Sequence, residues 1–269
     1  MIFDGKAFAR EIEDRVAKQV STMSVKPKIV SLLVGNDPAS ELYTRLKSKA
    51  AERVGINFEV MRVEDSGKLR DELKRVASRD NVTGVMIQLP IPGVSRKDTE
   101  EIIQEIPLTK DVDGLRWRES GIKPATVRGI LSIIGSVARD KQKFVVFGAR
   151  GAVGSPLVHY LKNMGREVSE IEWDTPNPSG SLPEGEVIIS CVGKAGLITA
   201  DMLSSNMIAI DVGMSELNGK VVGDMTQEVY QKVSYAVGVP NGVGPVTIAS
   251  LLENAVDICQ KRVELVEVK

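Results

Sequence analysis

Behind Asn36-Asp37-Pro38, the residues Ser40, Tyr43 and Lys47 recur at i, i+3 and i+7. Asp37 can cap a helix and Pro38 suits its first position, so the three side chains share one helical face. An amine on such a face serves as a proton shuttle if burial or neighbours lower its pKa. A bare Tyr-x-x-x-Lys is usually two surface residues. The weight here comes from Gln88-Leu89-Pro90-Ile91-Pro92 and Lys110-Asp111-Val112-Asp113-Gly114, which follow later strands of the same expected sheet. The carboxyl ends of parallel strands are where α/β proteins gather ligands. Both segments also admit structural roles, with Asp113 capping its own turn and Gln88 satisfying a strand end. The sole histidine, His159, lies on the helix after a glycine turn and reads as a structural helix residue. The chain has no Gly-x-Ser-x-Gly nucleophile turn, which leaves lysine for proton transfer.

A second constellation is Gly148-Ala149-Arg150-Gly151-Ala152-Val153-Gly154-Ser155-Pro156, placed between the strand-like Lys143-Phe144-Val145-Val146-Phe147 and a helix opened by Pro156. Glycines permit positive φ and close backbone approach, and amide donors at a helix N-terminus attract phosphate. The spacing is G-x-x-G-x-x-G instead of G-x-G-x-x-G, so a plain β-α turn is an equal reading of the motif by itself. Arg150 could pair with the 2′-phosphate of NADP, whereas Glu172 and Asp174 stand roughly where NAD enzymes place an acid. The two signals oppose one another. A cation within the phosphate loop is the more specific feature, and NADP is the expected cofactor.

These residues need a scaffold, and the pattern supplies an α/β one. Val- and Ile-rich runs at 28–34, 58–63 and 84–89 alternate with helix-length amphipathic stretches, one of them at 67–78. The rhythm returns at 143–148, 167–173, 186–192 and 207–213. Such alternation predicts parallel strands with crossover helices, hence two α/β domains. Residues 107–115 are turn-rich, and 126–140 have the length and apolar spacing of a helix joining the two sheets. We therefore expect a catalytic domain over residues 1–120, completed by a C-terminal helix at 246–269, and a Rossmann-like dinucleotide-binding domain over 121–245, with a cleft between them.

Composition narrows the ligand class. The 269 residues carry a formal net charge of −1, 42% hydrophobic and 26% charged residues. That offers no strong field for nucleic acid or an anionic membrane, so a small molecule is the expected partner. Cys191 and Cys259 are far apart and lack metal-knuckle spacing; neither a disulfide nor a metal site is expected. The N-terminal segment reads as an amphipathic helix and not as a secretory signal, and no apolar run reaches the ~20 residues of a membrane span. A cytoplasmic location follows as an expectation.

With these motifs in order, the chain resembles the bifunctional methylenetetrahydrofolate dehydrogenase/methenyltetrahydrofolate cyclohydrolase family. The matching pieces are FDGKAFA at 3–9, VGNDPAS with Tyr43 and Lys47, QLPIP at 88–92, KDVDG at 110–114, VGSP at 153–156, VGKAG at 192–196, IDVG at 210–213, VGD at 222–224 and PNGVGPVTIASLLEN at 240–254. The resemblance implies hydride transfer from the methylene bridge of the folate to NADP. Hydrolysis of the methenyl cation to 10-formyltetrahydrofolate then follows at a shared site between the domains. It assigns Lys47 as the catalytic lysine, Tyr43 as its substrate-stacking partner and Gln88 as the amide that holds the lysine. Asp113 becomes the pterin-binding carboxylate, since one carboxylate can accept two adjacent N–H groups.

Substrate contacts are further expected from Leu89, Pro90, Gly244, Pro245 and Thr247. Cofactor contacts are expected from Gly148, Ala149, Arg150, Gly151, Val153, Gly154, Val192 and Gly193. A homodimer is implied by the resemblance alone. The chain departs from the family pattern at Pro124-Ala125-Thr126-Val127-Arg128-Gly129, where the usual cysteine is absent, at Arg150 in place of the usual serine, and across residues 170–180. Two other classes fit parts of the pattern. A lysine-based NADP dehydrogenase of a hydroxy or amino acid shares the architecture but gives no reason for KDVDG and QLPIP together. A non-catalytic dinucleotide-binding protein would tolerate loss of Lys47.

Overall fold

In the computed structural model, residues 1–172, 182, 184–217 and 219–267 are described. The chain divides into two units, Arg10–Ala125 with Ile248–Lys269 and Met1–Ala9 with Thr126–Thr247. Helix α1 (Gly5–Thr22) begins in the second of these and continues into the first.

The first unit contains β1 (Lys28–Val34), α2 (Pro38–Arg53), β2 (Asn57–Val63), α3 (Leu69–Ala77), β3 (Gly84–Ile87), α4 (Arg96–Gln104) and α5 (Trp117–Ser120). Its sheet is parallel, in the order β2-β1-β3, with Ile29 opposite both Phe58 and Gly84. β1 and β3 are apolar and buried almost throughout, as parallel strands covered on both faces must be. Edge strand β2 is largely exposed or half-buried. Leu69, Leu73 and Val76, at i, i+4 and i+7 of α3, pack with Leu32, Ile87 and Ile106 into the core. Beyond β3 the chain passes very close: a Cβ at Gly84 would lie 2.5 Å from Val112 Cβ, and Val85 makes a parallel bridge with Asp111. Only glycine at position 84 lets the segment after residue 107 lie against the strand.

The second unit contains α6 (Ala125–Val137), β4 (Lys143–Phe147), α7 (Gly154–Asn163), β5 (Glu167–Ile171), β6 (Val187–Ser190), β7 (Ile208–Asp211), β8 (Ser215–Leu217), β9 (Lys220–Val222), α8 (Gln227–Lys232), β10 (Tyr235–Val237) and the start of α9 (Val243–Glu267). Five strands are parallel, in the order β10-β7-β6-β4-β5, while β8 and β9 form a small antiparallel ribbon. The winding direction reverses between β4 and β6. Doubly wound sheets bind ligands beyond the carboxyl ends of their strands at such a switch point.

The strands expected from sequence are present, most of them shorter. The run at 84–89 ends as a strand at Ile87, the run at 186–192 at Ser190, and α3 starts at Leu69 behind a 3-10 turn over Ser66–Lys68. Of the run at 167–173, Trp173 lies outside the described residues. The C-terminal helix starts at Val243 and not at 246, because Pro245 is accommodated in a first turn whose N–H groups have no intrahelical partner. The first nine residues do not group with the first sheet. Phe3 N–H donates to Ala236 O at 2.8 Å and Ala236 N–H to Met1 O at 2.8 Å, a short pairing beside β10.

Candidate active site

α2 is started as the local sequence requires: the Asp37 carboxylate accepts from Ser40 N–H at 2.8 Å, and Pro38 opens the helix. This fixes the helical phase that turns Ser40, Thr44, Lys47 and Ala51 inward. Lys47 is only 6% exposed, and its Nζ donates to Gln88 Oε1 at 3.0 Å. The Tyr43 ring centroid is 5.4 Å from the same nitrogen. Burial pushes the Lys47 ammonium below the ordinary lysine range, against the opposing attraction of the Asp113 charge. Burial also raises the Tyr43 phenol, and Asp113 adds to that shift. One carboxylate is thus felt by both side chains.

Gln88 is held on both sides. Its backbone N–H donates to Leu32 O at 2.9 Å, just past the end of β3, and its Nε2 donates to Leu89 O at 2.9 Å. The remaining amide oxygen therefore faces Lys47. Leu89 is half-buried and Pro90 exposed.

The segment carrying Asp113 is a frame of buried polar contacts. Lys110 Nζ donates to the carbonyls of Ala77 and Arg79 at 2.7 Å each, closing the end of α3. Asp111, fully buried, accepts from Leu115 N–H and Arg116 N–H at 2.9 Å and from Ser120 Oγ at 3.0 Å. Burial raises its pKa, against those hydrogen bonds. Gly114 takes φ +70°, where a Cβ would come within 2.6 Å of Lys123 backbone. From α9, Asn254 Nδ2 donates to Val112 O at 3.0 Å and to Lys123 O at 2.9 Å. Of the two aspartates in KDVDG, Asp111 is the turn-capping one and Asp113 the one whose charge reaches Lys47.

In the other unit, the glycine turn sits at the switch point. Gly148 (φ +73°) donates to Ile171 O at 2.8 Å, and Gly151 N–H donates to Gly148 O at 2.9 Å. A Cβ on Gly154 would fall 2.1 Å from Gly148 O. The turn is therefore packed directly on the first residues of α7, where Ser155 N–H donates to Gly151 O at 3.0 Å and Leu157 N–H to Val153 O at 3.1 Å, and the positive end of a helix favours anionic groups. Cys191 and Val192 flank the turn from the end of β6, with Cys191 O 3.0 Å from where a Gly148 Cβ would be. The tightness of the turn, its place at the start of a helix and the strand reversal fit a dinucleotide pyrophosphate. Arg150 and Glu172, which point to different coenzymes, touch: Arg150 N–H donates to Glu172 Oε1 at 2.9 Å, and Arg150 Nε lies 3.7 Å from the same oxygen. Asp174 lies outside the described residues.

The loop after β6 is braced by two buried aspartates that sequence patterns mark only as parts of IDVG and VGD. Asp224 accepts from Ser190 Oγ at 2.6 Å, Val192 N–H at 2.9 Å and Lys194 N–H at 2.7 Å. Asp211 accepts from Asp224 N–H, Met225 N–H and the Tyr230 hydroxyl at 3.0, 2.8 and 2.7 Å. Burial moves the Asp211 carboxyl up to about 6, against those hydrogen bonds. The glycines beside them are obligatory, since a Cβ at Gly213 would meet Asp224 and one at Gly223 would meet Asp211, at 2.0 and 2.1 Å. An apolar strand end followed by Asp and Gly twice in one unit was the signal available for this pair.

The structure thus brings Tyr43, Lys47, Gln88 and Asp113 together in one unit. Gly148 through Gly154, with Val192 and Gly193, belong to the other, as do Gly244, Pro245 and Thr247 in the first turns of α9. His159 is exposed on α7, its Nε2 2.9 Å from Asn163 Nδ2.

A buried lysine behind a three-stranded parallel sheet, joined in one chain to a doubly wound sheet with a glycine turn, defines a two-domain dinucleotide-linked α/β enzyme architecture. Residues 3–113 match the catalytic domain, and residues 124–263 the NAD(P)-binding domain, of tetrahydrofolate dehydrogenase/cyclohydrolase, and the chain belongs to that family. It is 35% identical to the bifunctional protein FolD of Mycoplasma mycoides over 94% of both chains. Among solved structures it resembles the bifunctional methylenetetrahydrofolate dehydrogenase/cyclohydrolase FolD of Campylobacter jejuni, with TM-score 0.88, 32% identity and 97% and 99% of the two chains covered. The Trypanosoma brucei enzyme complexed with NADP cofactor and inhibitor gives TM-score 0.86 and 25% identity over 98% of both chains.

Proposed function

We propose that this chain oxidises 5,10-methylenetetrahydrofolate with NADP and hydrolyses the 5,10-methenyl product to 10-formyltetrahydrofolate, with Lys47 as the proton-transfer group. The carrying observation is the buried Lys47 amine, 3.0 Å from an oriented Gln88 oxygen and beside the Tyr43 ring. Family membership supports both activities, as do relatives named for them, and the NADP complex of the Trypanosoma brucei protein supports the coenzyme.

Bound NADP would supply the hydride acceptor for the first step. Gly148, Gly151, Gly154 and the α7 N-terminus would hold its pyrophosphate, with Val192 and Gly193 beside it. Asp113 accepts two adjacent N–H groups of the pterin edge, and Tyr43 offers its ring as a stacking face. In the hydrolytic step water adds to the methenyl carbon and the neutral amine of Lys47 takes the proton that water loses; the adduct then opens by breaking the bond from that carbon to N5, which takes up a proton, and 10-formyltetrahydrofolate is left. The depressed pKa keeps more of that amine unprotonated near neutral pH. Gln88 keeps the amine aimed, because its own Nε2 is occupied by Leu89 O.

On this reading the folate chemistry resides in Arg10–Ala125 with Ile248–Lys269 and coenzyme binding in Thr126–Thr247. The chain would act as a cytoplasmic homodimer on a small molecule; among the described residues no helix is long and apolar enough to cross a membrane. Light scattering of the purified protein tests the dimer. The decisive assay supplies 5,10-methylenetetrahydrofolate with NADP and follows methenyl absorbance and 10-formyl product together. Both species must form; the absence of both would overturn the assignment, and methenyl accumulation without product would remove the Lys47 role.

A further inference from the structure

We propose that Glu172 is a specificity-determining residue and that, through it, the chain accepts NAD as well as NADP. The inference rests on the dinucleotide reading above. Glu172 follows the last residue of β5, the strand beside β4, and Gly148 N–H donates to Ile171 O at 2.8 Å, so the carboxylate adjoins the glycine turn. In doubly wound sheets an acid about 20 residues beyond the turn accepts the adenine-ribose 2′-hydroxyl of NAD, and a nearby arginine accommodates the 2′-phosphate of NADP. This chain has both groups, and they are paired.

The exposures decide which of the two can move. Arg150 has a side chain 85% exposed and Glu172 one only 20% exposed. Glu172 is further held by the Arg150 backbone N–H at 2.9 Å, a contact independent of where the guanidinium goes. The carboxylate is therefore a fixed acceptor, able to take a ribose hydroxyl. The guanidinium is an exposed cation whose charge is already partly answered by that carboxylate. A 2′-phosphate must draw Arg150 away from Glu172 and then sit near a negative charge, which lowers NADP affinity without touching NAD.

Titration of the whole protein with NADP and with NAD, followed by calorimetry, tests this without turnover. Hydrogen bonds to charged groups carry enough energy that the two dissociation constants should lie within about tenfold of each other in the native protein. Glu172→Gln keeps the oxygen that receives Arg150 N–H and removes the charge; it should tighten NADP and weaken NAD, moving their ratio about tenfold toward NADP. Arg150→Ala should move the ratio the opposite way. If Glu172→Gln weakens both coenzymes equally, Glu172 only braces the turn and the proposal is overturned. A native preference for NADP beyond a hundredfold overturns it as well. Binding of neither coenzyme would overturn the dinucleotide reading itself, a result distinct from an unchanged ratio.

Discussion

Folding strips Lys47 of most of its hydration, and the group it touches is the neutral oxygen of Gln88. Burial therefore outweighs the attraction of Asp113, and the ammonium titrates below its ordinary range. Two consequences belong to this single residue. Lys47→Met removes the amine that donates to Gln88, so hydrolysis of supplied methenyltetrahydrofolate should fall by about 10²-fold or more, the scale of general-base assistance. Methylene oxidation should stay within about tenfold, since it depends on positioning. Paired initial rates with the two substrates check the contrast. The second consequence is a linkage effect. Between the lowered folded pKa and the ordinary value near 10.5, the unfolded chain binds the Lys47 proton and the folded chain does not, so this residue makes stability rise with pH. Lys47→Met should flatten that rise, and urea midpoints of both proteins from neutral pH to about 10 measure the difference. Tyr43 and Lys47 were legible in the sequence because helical spacing alone sets a shared face. The loss of solvent that makes Lys47 chemically useful was not, because it depends on Gln88, 41 residues away.

At the scale of elements, the Asp113 segment is held in place by its neighbours. Lys110 closes the end of α3, Asp111 caps the turn toward α5, and Asn254 of α9 reaches two carbonyls of the same segment. Asn254→Leu, near-isosteric, leaves Val112 O and Lys123 O without that amide; at about 1 kcal/mol or more per unmet group the loss should be about 2 kcal/mol. For a chain of this size that corresponds to a melting temperature lower by about 4–8 °C. Because Asp113 lies between the two released carbonyls, the KM for folate should rise while that for NADP holds. Calorimetry with separate KM determinations checks both parts; equal rises in the two constants would mean that α9 supports the chain generally. β1 could be read from sequence to the residue and β4 to within one, since buried parallel strands are continuous apolar runs. The three-residue β10, the β8–β9 ribbon and the pairing of Met1 and Phe3 beside β10 could not, because segments so short carry no periodicity. The same limit hid the role of Asp211 and Asp224, whose partners lie on different strands and loops.

Each unit has a hydrophobic cluster of its own, one around Leu32, Leu73 and Ile87 and the other around Val145, Ile188 and Ala209. Tyr43, Lys47 and Asp113 lie in the first unit and the glycine turn in the second, so the stabilisation that each ligand confers can be tested separately. A ligand present at about 100 times its Kd stabilises the state it binds by about 2.7 kcal/mol. In the glycine turn, Gly154→Val places a Cβ 2.1 Å from Gly148 O, an overlap with backbone that only movement of the turn or of the α7 start can relieve. The helix start that would meet the pyrophosphate moves with it. Gly154→Val should therefore lose the upward shift in melting temperature produced by NADP. The shift produced by a non-reactive folate analogue, held at Asp113 and Tyr43, should remain. Lys47→Met should keep the NADP shift, because none of the coenzyme contacts passes through α2. If Gly154→Val abolished both shifts, the folate site would depend on the integrity of the coenzyme turn, and the separation of the two chemistries by unit would fail.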